Sequence, residues 1–443
     1  MTETEMTTLA ATQKALRDGR ITATDVTEAH LKRIAEVDPG IEAWAFIDPD
    51  HALRQAGKLD KLRAQGQPIG PLHGVPVGVK DIFDTRDMPT EDGTPLHAGR
   101  RTLEDSTVVR LLREAGAVIM GKTVTTELAT FQPGKTHHPV DPSRTPGGSS
   151  SGSAAAVASG MVPLAVGSQT NGSVIRPAAF CGVVGYKPTR GLISRRGMLS
   201  VSRTLDQVGV FAPTVRDAAL IAEVLMDADP GETAERLHAR SDLLATATSV
   251  PPLPPRVAFV RSPLWEQAGA STQEAFAELV DELGESVGTV ELPQVFAEAV
   301  ELHRLIQDPE LAVSLAPEYE RGKDQLSPRL RAMIESGSEI TAAAHIRALA
   351  RIPVLTRALD AIFDEFDAIL TPATPGEAPG IETTGSPVFC TTWSLLGTPA
   401  LSLPLMTGPN GLPLGVQLVG KVGDDARLLR TANWLWNRIA TAA

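Results

Sequence analysis

Cysteine is scarce in this 443-residue chain. There are two, Cys181 and Cys390, far apart and without metal or redox spacing. That excludes a cysteine-built metal or dithiol motif and fits a reducing, cytoplasmic setting. Long apolar runs are missing as well. No stretch approaches the roughly 18 apolar residues of a membrane-crossing helix. The first residues, MTETEMTTLAATQKALRDGR, lack the basic start and apolar block of a signal peptide. Nor is there an excess of positive charge: 41 Lys and Arg stand against 53 Asp and Glu, a net charge of −12. That speaks against nucleic acid or an anionic membrane as a direct partner. What remains, 42% hydrophobic and 21% charged residues, is the profile of a globular protein with a sizeable core.

Periodicity points to an α/β chain. Residues 6–37 read as two helices, the second running from Thr24 toward Pro39 with Ala29, Leu31, Ile34 and Val37 apolar. AWAFID, from Ala43, is strand-like. Val75, Val77 and Val79 alternate along a short strand that delivers Lys80 at its end. Ser106 can cap a helix whose Val108, Leu111, Leu112 and Ala115 share one face. AVIM (117–120) reads as a buried strand, with a short helix expected from Thr123. This alternation predicts a covered sheet. The proline-dense VPPLPPR (250–256) is the best linker. Beyond it lie a strand, RVAFV, an amphipathic helix over 272–283 and a mostly helical stretch over 295–366. DAILTPATP, LGTPALSLPL and GLPLGVQLVG return to strand character. The organisation expected is a core over 1–249, a largely helical insertion or cap over 250–366, and a return to the core over 367–443.

The stretch RTPGGSSSGSAAAVASG (144–160) asks for an explanation. A flexible linker would sit between polar flanks, whereas here a strong helix former and then the apolar VPLAV follow. A serine-hydrolase elbow, G-x-S-x-G centred on Ser150, requires a preceding strand and a later loop histidine. The preceding HHPVDPSRTP is turn-rich, and the last histidine, His345, lies in a helical region. Upstream, residues 116–123 spell G-x-x-x-x-G-K-T, but the intervening AVIM favours a strand over a phosphate-cradling loop. ATP binding is therefore not expected there.

A serine site assembled from three places fits better. Thr170-Asn171-Gly172 precede Ser173 in a tight turn able to aim successive backbone amides at an oxyanion. Pro177 can begin a short helix behind it. No histidine lies near these serines in sequence, so the base must be another residue. Lys80, emerging from a buried strand, would lose its charge near neutral pH and serve.

These segments resemble the amidase signature family of Ser–cisSer–Lys hydrolases. PLHGVPVGVKDIFDT (71–85) is similar to its lysine strand, TPGGSSSGSAAAVASG (145–160) to its glycine/serine signature, and GSQTNGSVIRPAAFCGVVGYKPTRG (167–191) to its nucleophile segment. TLDQVGVFAPTVRDAALI (204–221) and the C-terminal strand segments resemble it too, so the likeness runs over most of the chain. The resemblance implies an amidase-signature fold, a mixed twisted sheet covered by helices. It implies Ser173 as nucleophile, Lys80 as base, and Ser149 as a bridging serine on a cis peptide. It also implies an oxyanion hole from the amides of Thr170, Asn171, Gly172 and Ser173, and neither metal nor cofactor.

Two departures stand out. The common pattern D-T-G-G-S becomes Gln169-Thr170-Asn171-Gly172-Ser173, and Arg176 lies three residues after the serine where many members have it at two. The S-V-I-R-P order is similar to malonamidase, in which the resemblance implies an arginine gripping a substrate carboxylate. Arg176 reads equally as a brace paired with a structural carboxylate. Trp393 reads either as the wall of an acyl pocket or as core packing. Thr170 is a candidate hydrogen-bond partner for the relay. Ser150 and Ser151 read as helix N-terminal residues, Cys181 as a small buried residue, and His137 and His138 as loop surface.

The function implied is cytoplasmic hydrolysis of small-molecule amides through a serine acyl-enzyme. Family members also take anilides, some esters and carbamates (urethanes). Narrower or different alternatives are a half-amide hydrolase of the malonamate type and the catalytic subunit of a tRNA-dependent glutamine amidotransferase. A homodimer would fit family habit.

Overall fold

The computed structural model describes residues 8–226 and 242–440. The first helix, Leu9–Asp18, starts at an N-cap Thr8, so part of the stretch read for a signal peptide lies outside the described residues. The second helix, Ala23–Val37, opens on a capping box in which Thr22 and Asp25 satisfy each other's backbone amides. Ser106 caps the helix Thr107–Glu114 by accepting from the Val109 amide, as its sequence predicts.

Eleven strands follow one another along the chain: β1 Trp44–Ile47, β2 Pro76–Lys80, β3 Val118–Thr123, β4 Leu164–Gln169, β5 Val184–Lys187, β6 Gln207–Ala212, β7 Val257–Arg261, β8 Val287–Glu291, β9 Ala368–Pro372, β10 Ala400–Thr407 and β11 Pro413–Val419. All belong to one sheet, in the order β1-β3-β2-β4-β6-β5-β10-β11-β9-β7-β8. Strands β3, β2 and β4 run parallel, the middle from β4 to β9 is antiparallel, and β9, β7 and β8 are parallel again. Helices cover both faces, so central strands are buried along their whole length. The mixed α/β sheet expected from the sequence is therefore present.

Three differences from the sequence reading have physical causes. The 250–366 segment is helical from 294 to 363, but its first part carries β7 and β8, which extend the sheet past β9. Their apolar side chains, Val257, Phe259 and Val260, are buried in the common core. No regular helix follows Thr123. Strand β3 runs on to Thr123, and the chain then makes a short 3-10 turn at Glu127–Ala129 with Leu128 and Ala129 at positive φ. The phosphate-loop spelling is dissolved by that same strand: Lys122 is fully buried, 3.0 Å from Asp81 and donating to Thr90 Oγ1 at 2.7 Å. His138 is buried rather than on the loop surface. Its Nε2 donates to the Phe180 carbonyl at 2.8 Å, and Nδ1 accepts from the amides of Val140 and Asp141.

No helix among the described residues is long and apolar enough to cross a membrane.

Candidate active site

Strand β2 carries Lys80 into the middle of the molecule, where its side chain is wholly buried. Its Nζ donates to Ser149 Oγ at 2.6 Å and to Ser168 Oγ at 2.9 Å. Burial penalises the ammonium and pulls its pKa down to about 7, against the opposing pull of the Asp206 charge. A lysine in this state is a base at neutral pH.

The glycine/serine stretch threads Ser149 beneath that lysine. Gly147 adopts φ +87°, and a Cβ there would meet the Cα of Pro177 at 2.8 Å. The Gly148–Ser149 peptide bond is cis, as the resemblance implies. A Cβ on Gly148 would press on Thr384 and Thr126 at 2.8 and 2.9 Å, so the approach is open to glycine alone. Ser150 is the N-cap residue of the helix Ser151–Ala158, but its hydroxyl makes no capping bond. It bonds instead to both the carbonyl and the amide of Ser168, at 3.2 Å each, and so pins strand β4 to the serine stretch.

Strand β4 runs directly into the turn 170–173. Gln169, the departure whose consequence the sequence left open, caps the helix Ile175–Cys181. Its Oε1 accepts from the amides of Val174 (2.8 Å) and Ile175 (3.0 Å), and its Nε2 donates to Ser394 Oγ. A neutral amide thus serves as the acceptor that the common Asp would supply. Pro177 falls inside the first turn of that helix rather than at its start. Thr170 Oγ1 donates to Asp206 Oδ1 at 2.6 Å, not to the Lys80–Ser149 pair, while Asp206 also accepts from the amides of Val201 and Ser202. Asn171 is held twice, its Oδ1 by Thr391 and its carbonyl by Ser394. The backbone amides of Asn171, Gly172 and Ser173 have no acceptor among the described residues.

Ser173 opens on a narrow cavity lined by Ala129, Thr130, Phe131, Thr170, Asn171, Arg176, Val201 and Gln307. Arg176 is 2% exposed. Its Nη2 donates to the Gly148 carbonyl at 2.6 Å, but Nε and Nη1 have no partner among the described residues. No carboxylate offsets its charge: burial lowers its pKa to about 10, with nearby Arg329 adding repulsion and the Cys390 thiol the sole opposing influence. The brace reading, in which a structural carboxylate pairs with Arg176, therefore has no carboxylate to rest on. Trp393 is buried among apolar neighbours on the helix Val388–Leu396 and is not among the cavity residues; it belongs to the core. Cys181 is buried, as expected.

Three residues at the site escape a reading of the sequence. Ser168 is the second partner of Lys80 and lies in plain view one residue before Gln169. Asp206 sits in the family-like segment TLDQVGV, with no local pattern to give it a role. His303 reaches Thr170 from 133 positions away and carries no signal.

Comparison with known proteins agrees with this geometry. A family model described as Amidase matches residues 25–429. The Glutamyl-tRNA(Gln) amidotransferase subunit of the amidase type from Chloroflexus aggregans is 35% identical over 98% of this chain and 96% of its own. Its counterpart from Acidothermus cellulolyticus is 36% identical over 93% and 90%. Among solved structures, the peptide amidase of Stenotrophomonas maltophilia superposes with a TM-score of 0.86 at 29% identity, covering 99% and 98% of the two chains. A chain from a vestigial protein complex, described as revealing the evolutionary origins of an s-triazine catabolic enzyme, reaches 0.91 at 27% identity over 97% and 98%. With the lysine strand, the glycine/serine stretch and the serine turn converging in one sheet, the chain belongs to the amidase signature family of C–N hydrolases.

Proposed function

We propose that this protein hydrolyses the C–N bond of small amides whose acyl part carries a carboxylate, through an acyl-enzyme on Ser173. One contact carries the chemical half of this reading: a lysine with pKa near 7 held 2.6 Å from the hydroxyl of Ser149. Neutral Lys80 accepts the Ser149 proton as Ser149 takes that of Ser173, and Ser173 Oγ attacks the amide carbonyl. The negative oxygen of the tetrahedral species lies against the amides of the 170–173 turn. When the C–N bond breaks, the proton held by Lys80 returns through Ser149 to the leaving amine. Water then attacks the ester, the same relay takes its proton, and the carboxylic acid leaves Ser173 free.

Arg176 supports the substrate half. A buried guanidinium with two unpartnered N–H donors on the cavity wall suits a carboxylate, which accepts from such a fork in two places. Neutral anilides, esters and carbamates offer it nothing comparable.

A second reading is favoured by the curated relatives: the glutamine-hydrolysing subunit of a tRNA-dependent amidotransferase, which would work with partner chains. Glutamine also bears a carboxylate, so Arg176 does not separate the two. Amine release from malonamate, propionamide, glutamine, an acyl anilide and an aryl carbamate does. A strong preference for malonamate over propionamide supports the half-amide hydrolase. Glutaminase activity that rises with a co-purifying partner supports the amidotransferase. Preference for the anilide and carbamate overturns the carboxylate anchor.

A further inference from the structure

We infer that His303 is a positioning residue for the oxyanion-binding amides, so that the helical cap, and not the core alone, sets the geometry of the 170–173 turn. The inference rests on Ser173 being the nucleophile.

His303 lies on the helix Ala299–Ser314, is 3% exposed, and places Nε2 3.1 Å from the Thr170 carbonyl oxygen. A carbonyl only accepts, so the contact needs the proton on Nε2. Burial pulls the imidazole down to about 4, which keeps it neutral over the working pH range. The peptide plane does the rest. In a trans peptide the C=O of one residue and the N–H of the next point in opposite directions. Fixing the Thr170 carbonyl on His303 therefore aims the Asn171 amide the other way, and that amide has no acceptor among the described residues. The next peptide is held in the same manner: Ser394 Oγ, itself receiving from Gln169 Nε2 at 2.9 Å, donates to the Asn171 carbonyl and so orients the Gly172 amide. One turn after His303, on the same face of its helix, Gln307 lines the cavity. A single cap helix thus touches both the back of the turn and the space in front of it.

The test uses the full chain with His303→Ala and His303→Gln, the glutamine amide nitrogen falling near where Nε2 stands. Each is assayed on the best amide of the panel, and with an alkyl boronic acid, which adds to the serine and places an oxygen at the oxyanion position. For His303→Ala the expected result is a fall in kcat of about 10–100-fold, since a misaimed donor forfeits part of the roughly 100–1,000-fold that a removed donor costs. KM should change by less than about threefold, boronate affinity should weaken in step with kcat, and His303→Gln should recover most of both. The inference is overturned if His303→Ala keeps kcat and boronate affinity. It is equally overturned if His303→Gln does no better than His303→Ala while kcat, KM and melting temperature all fall together. Ser173→Ala separates this from the underlying reading: an active Ser173→Ala sinks the nucleophile assignment, whereas an inactive Ser173→Ala beside an unaffected His303→Ala sinks the positioning role alone.

Discussion

Arg176 donates to the carbonyl of Gly148 at 2.6 Å and so ties the helix behind Ser173 to the residue preceding Ser149. One side chain thereby spans the two serine segments while keeping two N–H groups turned to the cavity wall. Arg176→Met removes both functions, and a substrate pair tells them apart. KM for malonamate should rise about 10–100-fold, the value of a hydrogen bond to a charged group. KM for propionamide should move by less than about threefold, and any loss of kcat common to both substrates reports the Gly148 tether. Arg176→Lys should rescue malonamate poorly, because an ammonium cannot reproduce the planar fork. Equal KM changes on the two amides would remove the carboxylate anchor.

Lys80 makes a prediction about pH. Its folded pKa is about 7, well below the ordinary 10.5 of the unfolded chain. The active form is the neutral amine, so kcat/KM should climb tenfold per pH unit below about 7 and level off above it. Stability follows from the same shift. Between about pH 7 and 10.5 the unfolded chain binds the proton that the folded one has lost, so stability rises with pH across that window and the penalty is full below it. Lys80→Met should therefore be inactive yet more stable than the parent at pH 6, by an amount on the order of a few kcal/mol less the two lost hydrogen bonds. The gain should shrink toward pH 10. Thermal melts of both proteins at the two pH values decide the matter.

Gln169 tests a different part of the machinery. Gln169→Ala deprives the amides of Val174 and Ile175 of their acceptor and releases Ser394. A loss of stability of about 1–2 kcal/mol is expected, the usual cost of a missing N-terminal cap. kcat should fall with it, since the turn loses its rear support. Chemical denaturation with unchanged slope, read beside turnover, would show this; unaltered stability would mean that the helix start is satisfied by water.

Ser150 provides the control. Its hydroxyl contacts only the backbone of Ser168, through two long bonds. Ser150→Ala should keep more than about a third of wild-type turnover, whereas Ser149→Ala should lose at least 100-fold. If Ser150→Ala is the inactive variant, the elbow centred on that serine returns as the better reading.

Much of this site can be read from the sequence because it is local. Lys80 ends an alternating valine strand, and Ser149 and Ser173 each follow glycine in a stretch too small and too polar for ordinary core. Its missing pieces are non-local. Asp206 and His303 reach Thr170 across 36 and 133 positions, and nothing in a linear pattern announces which distant polar residue a buried carbonyl or hydroxyl will find. The same holds for strands β7 and β8. Their sequences announce short strands, but membership in the main sheet depends on β9, a hundred residues further on. His138 defeats expectation because a histidine in a proline-rich loop ordinarily faces water; here three backbone groups replace that water.

The order of strands also bears on how the chain is made. Strand β5, complete at Lys187, waits for β10, which ends at Thr407, before its second edge is paired. On a ribosome, the half that holds Lys80, Ser149 and Ser173 is synthesised with that edge open, and the cap emerges before the strands that close it. Pairings between segments so distant are slow to form, and unpaired edges invite contact with other nascent chains. The chain should therefore lean on chaperones during translation, and fragments truncated before β10 should aggregate rather than display partial activity.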